Sequence, residues 1–129
     1  MLMNTGRLAL ANYILGNASP GGFFLSAWYS TTIVLTPGVT VPIIPSIVPQ
    51  LLSGGTTPVI DGSGYGESDY APITLTNPST SLALVLTGWV IFASNSGNPI
   101  WAAGVFPTPI TLAPLQSVSF NPQLLTSTI

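Results

Sequence analysis

The chain has 129 residues, of which 47% are hydrophobic and only 3% charged: a single Arg (Arg7), three acids (Asp61, Glu67, Asp69), and no Lys, His or Cys. About a quarter of the residues of an ordinary soluble domain are charged, so mixed surface charge cannot keep this chain dispersed. A net charge of −2 with one basic residue excludes nucleic acid, whose phosphates need clustered Lys and Arg, and the lack of cysteine excludes disulfides and zinc–thiolate sites.

The length fits one domain, 1–129, with a core of its own. Its apolar excess does not read as membrane. The longest apolar run, Leu82–Ala93, spans 12 residues, against about 20 for a crossing helix. The 13 prolines interrupt any series of barrel strands. The segment MLMNTGRLALANYIL has the look of a signal peptide but no basic start and no clean cleavage site, and is read as retained.

In chain order, Leu8, Leu10, Ala11, Ile14 and Leu15 share one face of a short helix over Thr5–Leu15, capped by Asn4 or Thr5 and ended by Gly16-Asn17. Its apolar stripe is expected to pack on a sheet. After the turn Ser19–Gly22, Phe23–Ser30 forms a strand that Thr31–Thr36 extends beyond a bend. The segment 37–58, PGVTVPIIPSIVPQLLSGGTTP, spaces Pro37, Pro42, Pro45 and Pro49 with apolar residues between. Each Pro lacks an N–H, so neither a helix interior nor a central strand fits. Two readings stand: an extended arm lying across a neighbouring subunit, or a loop folded over its own core. In the first, Pro42, Ile43, Ile44, Pro45, Ile47 and Val48 are interface residues.

Pro58–Ile60 is a short strand, and the glycine-studded DGSGYGESD of 61–69 a flexible turn. Tyr70–Thr76 alternates as a strand does. Leu82–Ala93 and Ile100–Phe106 flank Asn95–Pro99 and form the central hairpin, the most hydrophobic part of the chain. Short strands follow at Pro109–Ala113, Ser117–Phe120 and Leu124–Ile129, with a turn at Pro114–Gln116. Such spacing marks an antiparallel β-sandwich, jelly-roll or Ig-like, with one N-terminal helix. With no Lys to protect sheet edges, Pro and subunit contacts are expected to cover them.

Catalytic chemistry has little to draw on. A Ser nucleophile has no His or Lys base. Asp61, Glu67 and Asp69 supply oxygen ligands for a weak calcium candidate, yet a Pro stands at the twelfth position where a calcium loop carries its bidentate Glu. A plain solvated turn is the favoured reading, and no cofactor is implied. Trp28, Trp89 and Trp101 are core or interface anchors, with a sugar-stacking platform as the lesser reading.

Ile14-Leu15-Gly16-Asn17, then Leu25–Ser30, Gly64-Tyr65, Tyr70–Leu75, Gly88–Gly104, Pro109–Leu112 and Val118–Phe120 follow one another in an order that resembles small tailed-bacteriophage virion proteins, often labelled tail-fibre or minor structural proteins. The Arg usual after Tyr-Ala and the Gly-Asp usual before the last strand are missing. The resemblance implies a non-enzymatic virion protein, assembled in the host cytoplasm. Its partners would be copies of itself, as a trimer or dimer, and the major capsid protein. A cement or decoration subunit of the head is the first expectation. A tail-fibre, tail-tip or adaptor subunit is the second, followed by a carbohydrate-binding module or an extracellular filament subunit.

Overall fold

The structure, a computed structural model, describes residues 1–6, 8, 23–29, 33–53, 59–60, 66–92 and 100–126. Among them run strands β1 (Phe24–Trp28), β2 (Gln50–Leu51), β3 (Val59–Ile60), β4 (Gly66–Asp69), β5 (Ile73–Thr76), β6 (Leu84–Phe92), β7 (Ile100–Leu112), β8 (Ser117–Phe120) and β9 (Gln123–Thr126). The fold is mainly β with antiparallel pairing. A four-stranded sheet in the order β2-β1-β6-β7 is accompanied by a three-stranded sheet, β3-β4-β9, and a ribbon, β5-β8.

The central hairpin forms as β6 and β7; its turn lies outside the described residues. β7 differs from expectation by running unbroken through Pro107 and Pro109 to Leu112. The register supplies the reason. Leu86 pairs with Ile110 and Gly88 with Val105, so Thr87 alone faces Phe106–Pro109. A bulge is where a missing N–H removes no ladder bond, and both prolines sit in it. A second irregularity lies at Trp101, because Ile91 pairs with Ala102 but Phe92 with Ile100. It lets Ile100 and Ala103, three residues apart, join the same core cluster.

In the four-stranded sheet, the free sides of β1 and β7, where a neighbouring subunit was one expected cover, are met in part by the chain itself. The outer edge of β1 pairs with β2 at Phe24 and Leu25. At its other end Tyr29 N–H donates to Pro42 O (3.1 Å) and Ile44 N–H to Ala27 O (3.1 Å). Along β7, Met3 N–H donates to Trp101 O (2.8 Å) and Ala103 N–H to Met1 O (2.9 Å). The Met1 ammonium donates to Ala103 O at 2.6 Å, and partial burial there lowers its pKa from the ordinary value of 8.0. Beyond Ala103, Pro107 and Pro109 blunt what remains of the edge. The N-terminal helix is described only at Asn4–Gly6 and Leu8, and Leu8, expected on its buried stripe, is exposed.

The proline-rich segment folds over its own core rather than projecting as an arm. Val39, Val41 and Ile43 alternate inward onto a cluster with Trp28, Val90, Phe92 and Ala103. A turn follows in which Ile47 N–H donates to Ile44 O (3.3 Å) with Pro45 second, where its fixed φ suits the bend. That turn drops Ile44 and Ile47 into a second cluster with Ala27, Leu75, Leu86 and Leu112, where the β5-β8 ribbon packs on the outer half of β6 and β7. One loop thus joins both cores. The extended pairing of Gly66–Asp69 corrects the flexible turn expected there: β3 and β9 supply partners on both sides, and pairing overrides local glycine preference. Residues 61–65 lie outside the described set.

Ser26, opposite Val90, is fully buried, and its Oγ has no hydrogen-bond partner among the described residues. A buried unpaired hydroxyl costs about 1–3 kcal/mol. Ser26→Ala is therefore expected to raise stability by about 1 kcal/mol, read as a higher denaturation midpoint at unchanged m.

Candidate contact surface

The anchors expected from sequence divide by burial. Trp28 is 1% exposed, with its indole against Gly88 and its Nε1–H donating to Gly104 O at 3.0 Å. Trp101 is buried edge-on to Phe23, ring centroids 4.8 Å apart, and its Nε1–H has no partner among the described residues. Of the six candidates between Pro42 and Val48, Ile44 and Ile47 are buried, Pro42 and Ile43 half-buried, and Pro45 and Val48 exposed. Trp89 is half-buried over Gly104. Most of these side chains therefore hold the protein's own core together.

Glu67 and Asp69 stand two apart on β4, and Asp69 Oδ1 accepts from Gln123 Nε2 at 2.9 Å. Asp61 lies outside the described residues. A calcium loop curls around its ion, whereas Gly66–Asp69 is extended and paired on both sides. Among the described residues, no three His, Cys, Asp or Glu side chains come together, and no helix is long and apolar enough to cross a membrane.

Two of the exposed leucines, Leu82 and Leu115, meet at a corner that sequence reasoning missed. Asn77, fully buried at the end of β5, donates through Nδ2 to the carbonyls of Leu82 (2.8 Å), Leu112 (3.2 Å) and Ala113 (3.2 Å). Its Oδ1 accepts from Ser79 N–H at 3.0 Å. Ser79 in turn accepts from Leu82 N–H through Oγ (2.8 Å) and from Leu115 N–H through its carbonyl (3.0 Å). Leu82 and Leu115 are thereby fixed around one residue, 69% and 62% exposed. Next along the chain, Ala83, Leu84 and Val85 line a shallow groove with Tyr29, Ile44 and Pro45; Val85 and Tyr29 are also exposed. None of the described residues lining this groove is Asp, Glu, Lys or Arg.

Leu115 is costly where it stands. Gln116 N–H donates to Ala113 O at 3.0 Å, closing a turn with Pro114 second and Leu115 third at φ 61°. Proline cannot adopt positive φ, so this is a type II turn, whose third position suits Gly or Asn. Leu115→Gly is expected to raise the stability of the single chain by about 1 kcal/mol in a denaturant titration.

No protein-family model matches this chain, and comparison with curated proteins returns no match.

Proposed function

We propose that the protein is a non-enzymatic structural subunit of a tailed-phage virion, a cement or decoration protein that binds its own copies and the major capsid protein on the head surface. The observation that carries the reading is the Asn77–Ser79 corner. There a buried hydrogen-bond hub presents exposed leucines, one of them in a backbone conformation that leucine disfavours, on a chain with only four charged side chains. Strain held at an exposed position suggests a purpose other than folding. An uncharged apolar surface favours a large, permanent contact over a transient one. The layered packing of the ribbon on the four-stranded sheet supports a β-sandwich of the jelly-roll or Ig-like kind. The partly covered sides of β1 and β7 favour assembly through faces and corners over strand addition to the four-stranded sheet.

The test is sedimentation of the purified chain at micromolar concentration, followed by fractionation of particles with quantitative mass spectrometry. A dimer or trimer, present on particles in proportion to the major capsid protein, supports the reading. A handful of copies per particle transfers it to the tail. A monomer indifferent to salt and absent from particles overturns it. Leu115→Gly, although more stable as a single chain, is expected to weaken self-association about tenfold, the loss of a modest hot-spot contact.

A further inference from the structure

A second surface has a different character. Between the four-stranded sheet and the β8-β9 junction lies a cleft of about 280 Å³, walled by Leu25, Trp89, Phe106 and Phe120, with Asn121 and Gln123 at its rim. Phe106 and Phe120 are stacked almost parallel, 3° between planes and centroids 5.5 Å apart. Trp89 pairs directly with Gly104 on β7, and a Cβ at Gly104 would run into its indole. The ring therefore lies across the glycine, and this half-buried indole also lines the cleft. At the rim, Gln123 is positioned by its 2.9 Å hydrogen bond to Asp69, while the exposed Asn121 amide makes no hydrogen bond among the described residues.

We propose that this cleft binds one ring of a neutral carbohydrate. An aromatic face offers the C–H-bearing side of a pyranose a flat apolar surface. Primary amides offer hydroxyls both donors and acceptors. None of the described residues lining the cleft is Lys, Arg, Asp or Glu, so its walls favour a neutral ligand, and the Asp69 carboxylate meets the rim through Gln123. The volume lies near the small end of ligand pockets, about 300 Å³, and suits a single ring rather than a long chain. The site is distinct from the apolar corner and does not depend on the virion reading. A single sugar in so shallow a cleft binds in the millimolar range.

Trp28 and Trp101 are buried, so acrylamide quenching reports chiefly on Trp89. Glucose, galactose and N-acetylglucosamine are to be titrated into the full chain, reading protection of that fluorescence and shifts of the Asn121 and Gln123 side-chain amides in nitrogen–proton spectra. Protection by at least one sugar, together with shifts of those amides, is the expected result. Asn121→Ala, an exposed substitution that leaves the walls intact, should weaken it about tenfold. Gly104→Ala should weaken it by displacing the indole. No protection by any of the three sugars, or protection by a proline-rich peptide instead, would overturn the assignment.

Discussion

Replacing Gly88 by alanine is expected to cost about 3 kcal/mol or more. Gly88 lies within β6, flanked by Trp28 on β1 and Val105 on β7. A Cβ built there collides with the carbonyl oxygen of Gly104 and with the Trp28 indole. The carbonyl belongs to the partner strand's backbone, and it is the acceptor for Trp28 Nε1. The extra methyl must therefore separate the strands or expel the tryptophan, and either breaks that hydrogen bond. Gly104→Ala is the matched control. The three atoms nearest its Cβ all belong to the side chain of half-buried Trp89, which can swing aside, so about 1 kcal/mol is expected. Domains of this size are stable by only about 5–15 kcal/mol, so denaturant titration resolves the two easily. Equal costs would mean that the close approach at Gly88 does not constrain the sheet.

Those two glycines show what the sequence made legible and what it hid. The apolar run around Gly88-Trp89 identifies the hairpin, because Val, Ile, Leu and Trp at that density need a buried pleated surface. Which tryptophan is core and which is surface depends on register. Trp28 lies over Gly88 and Trp89 over Gly104, on opposite faces of the sheet, and single-chain periodicity does not pair residues 60 positions apart (Trp28 with Gly88). A glycine inside a strand is a signal of close approach. It marks the place without naming the partner.

The proline segment teaches the complementary lesson. Its prolines exclude helix and central strand, correctly, but do not distinguish an arm from a covering loop. The spacing Val39, Val41, Ile43 carries the period of an extended chain with one face buried, and that face is the chain's own core. The bulge at Phe106–Pro109 was invisible for a related reason: two prolines read as a break unless the partner strand is known to skip them. The contact corner was hidden most thoroughly. Asn77-Pro78 reads as a strand end and Pro114-Leu115-Gln116 as an ordinary turn. Only long-range hydrogen bonds join the two and expose that Leu115 occupies a glycine's position.

Asn77→Asp, which changes one nitrogen to oxygen, is expected to be as damaging as Gly88→Ala, and in a pH-dependent way. The Asn77 amide nitrogen faces the carbonyls of Leu82, Leu112 and Ala113, all at 2.8–3.2 Å. A carboxylate there sets oxygen against three oxygens in a fully buried site and leaves the carbonyls without their donor. Breaking a buried network and burying an unpaired charge each cost about 3 kcal/mol or more. Protonation restores one donor, so the folded state holds the proton more tightly than the unfolded chain, and the pKa of the new carboxyl is raised above about 3.9. With more protons bound in the native state, stability falls as pH rises through the window from about 4 up to that raised value, and the deficit is full at neutral pH. The three carboxylates and the N-terminal ammonium of the wild-type chain are common to both proteins, so the difference between them isolates residue 77. The measurement is the denaturation midpoint of both proteins from acid to neutral pH. A constant difference would show that the carbonyls have turned away from residue 77. The corner would then be held by its backbone bonds, Asn77 N–H to Gln116 O and Leu115 N–H to Ser79 O, instead of by the amide.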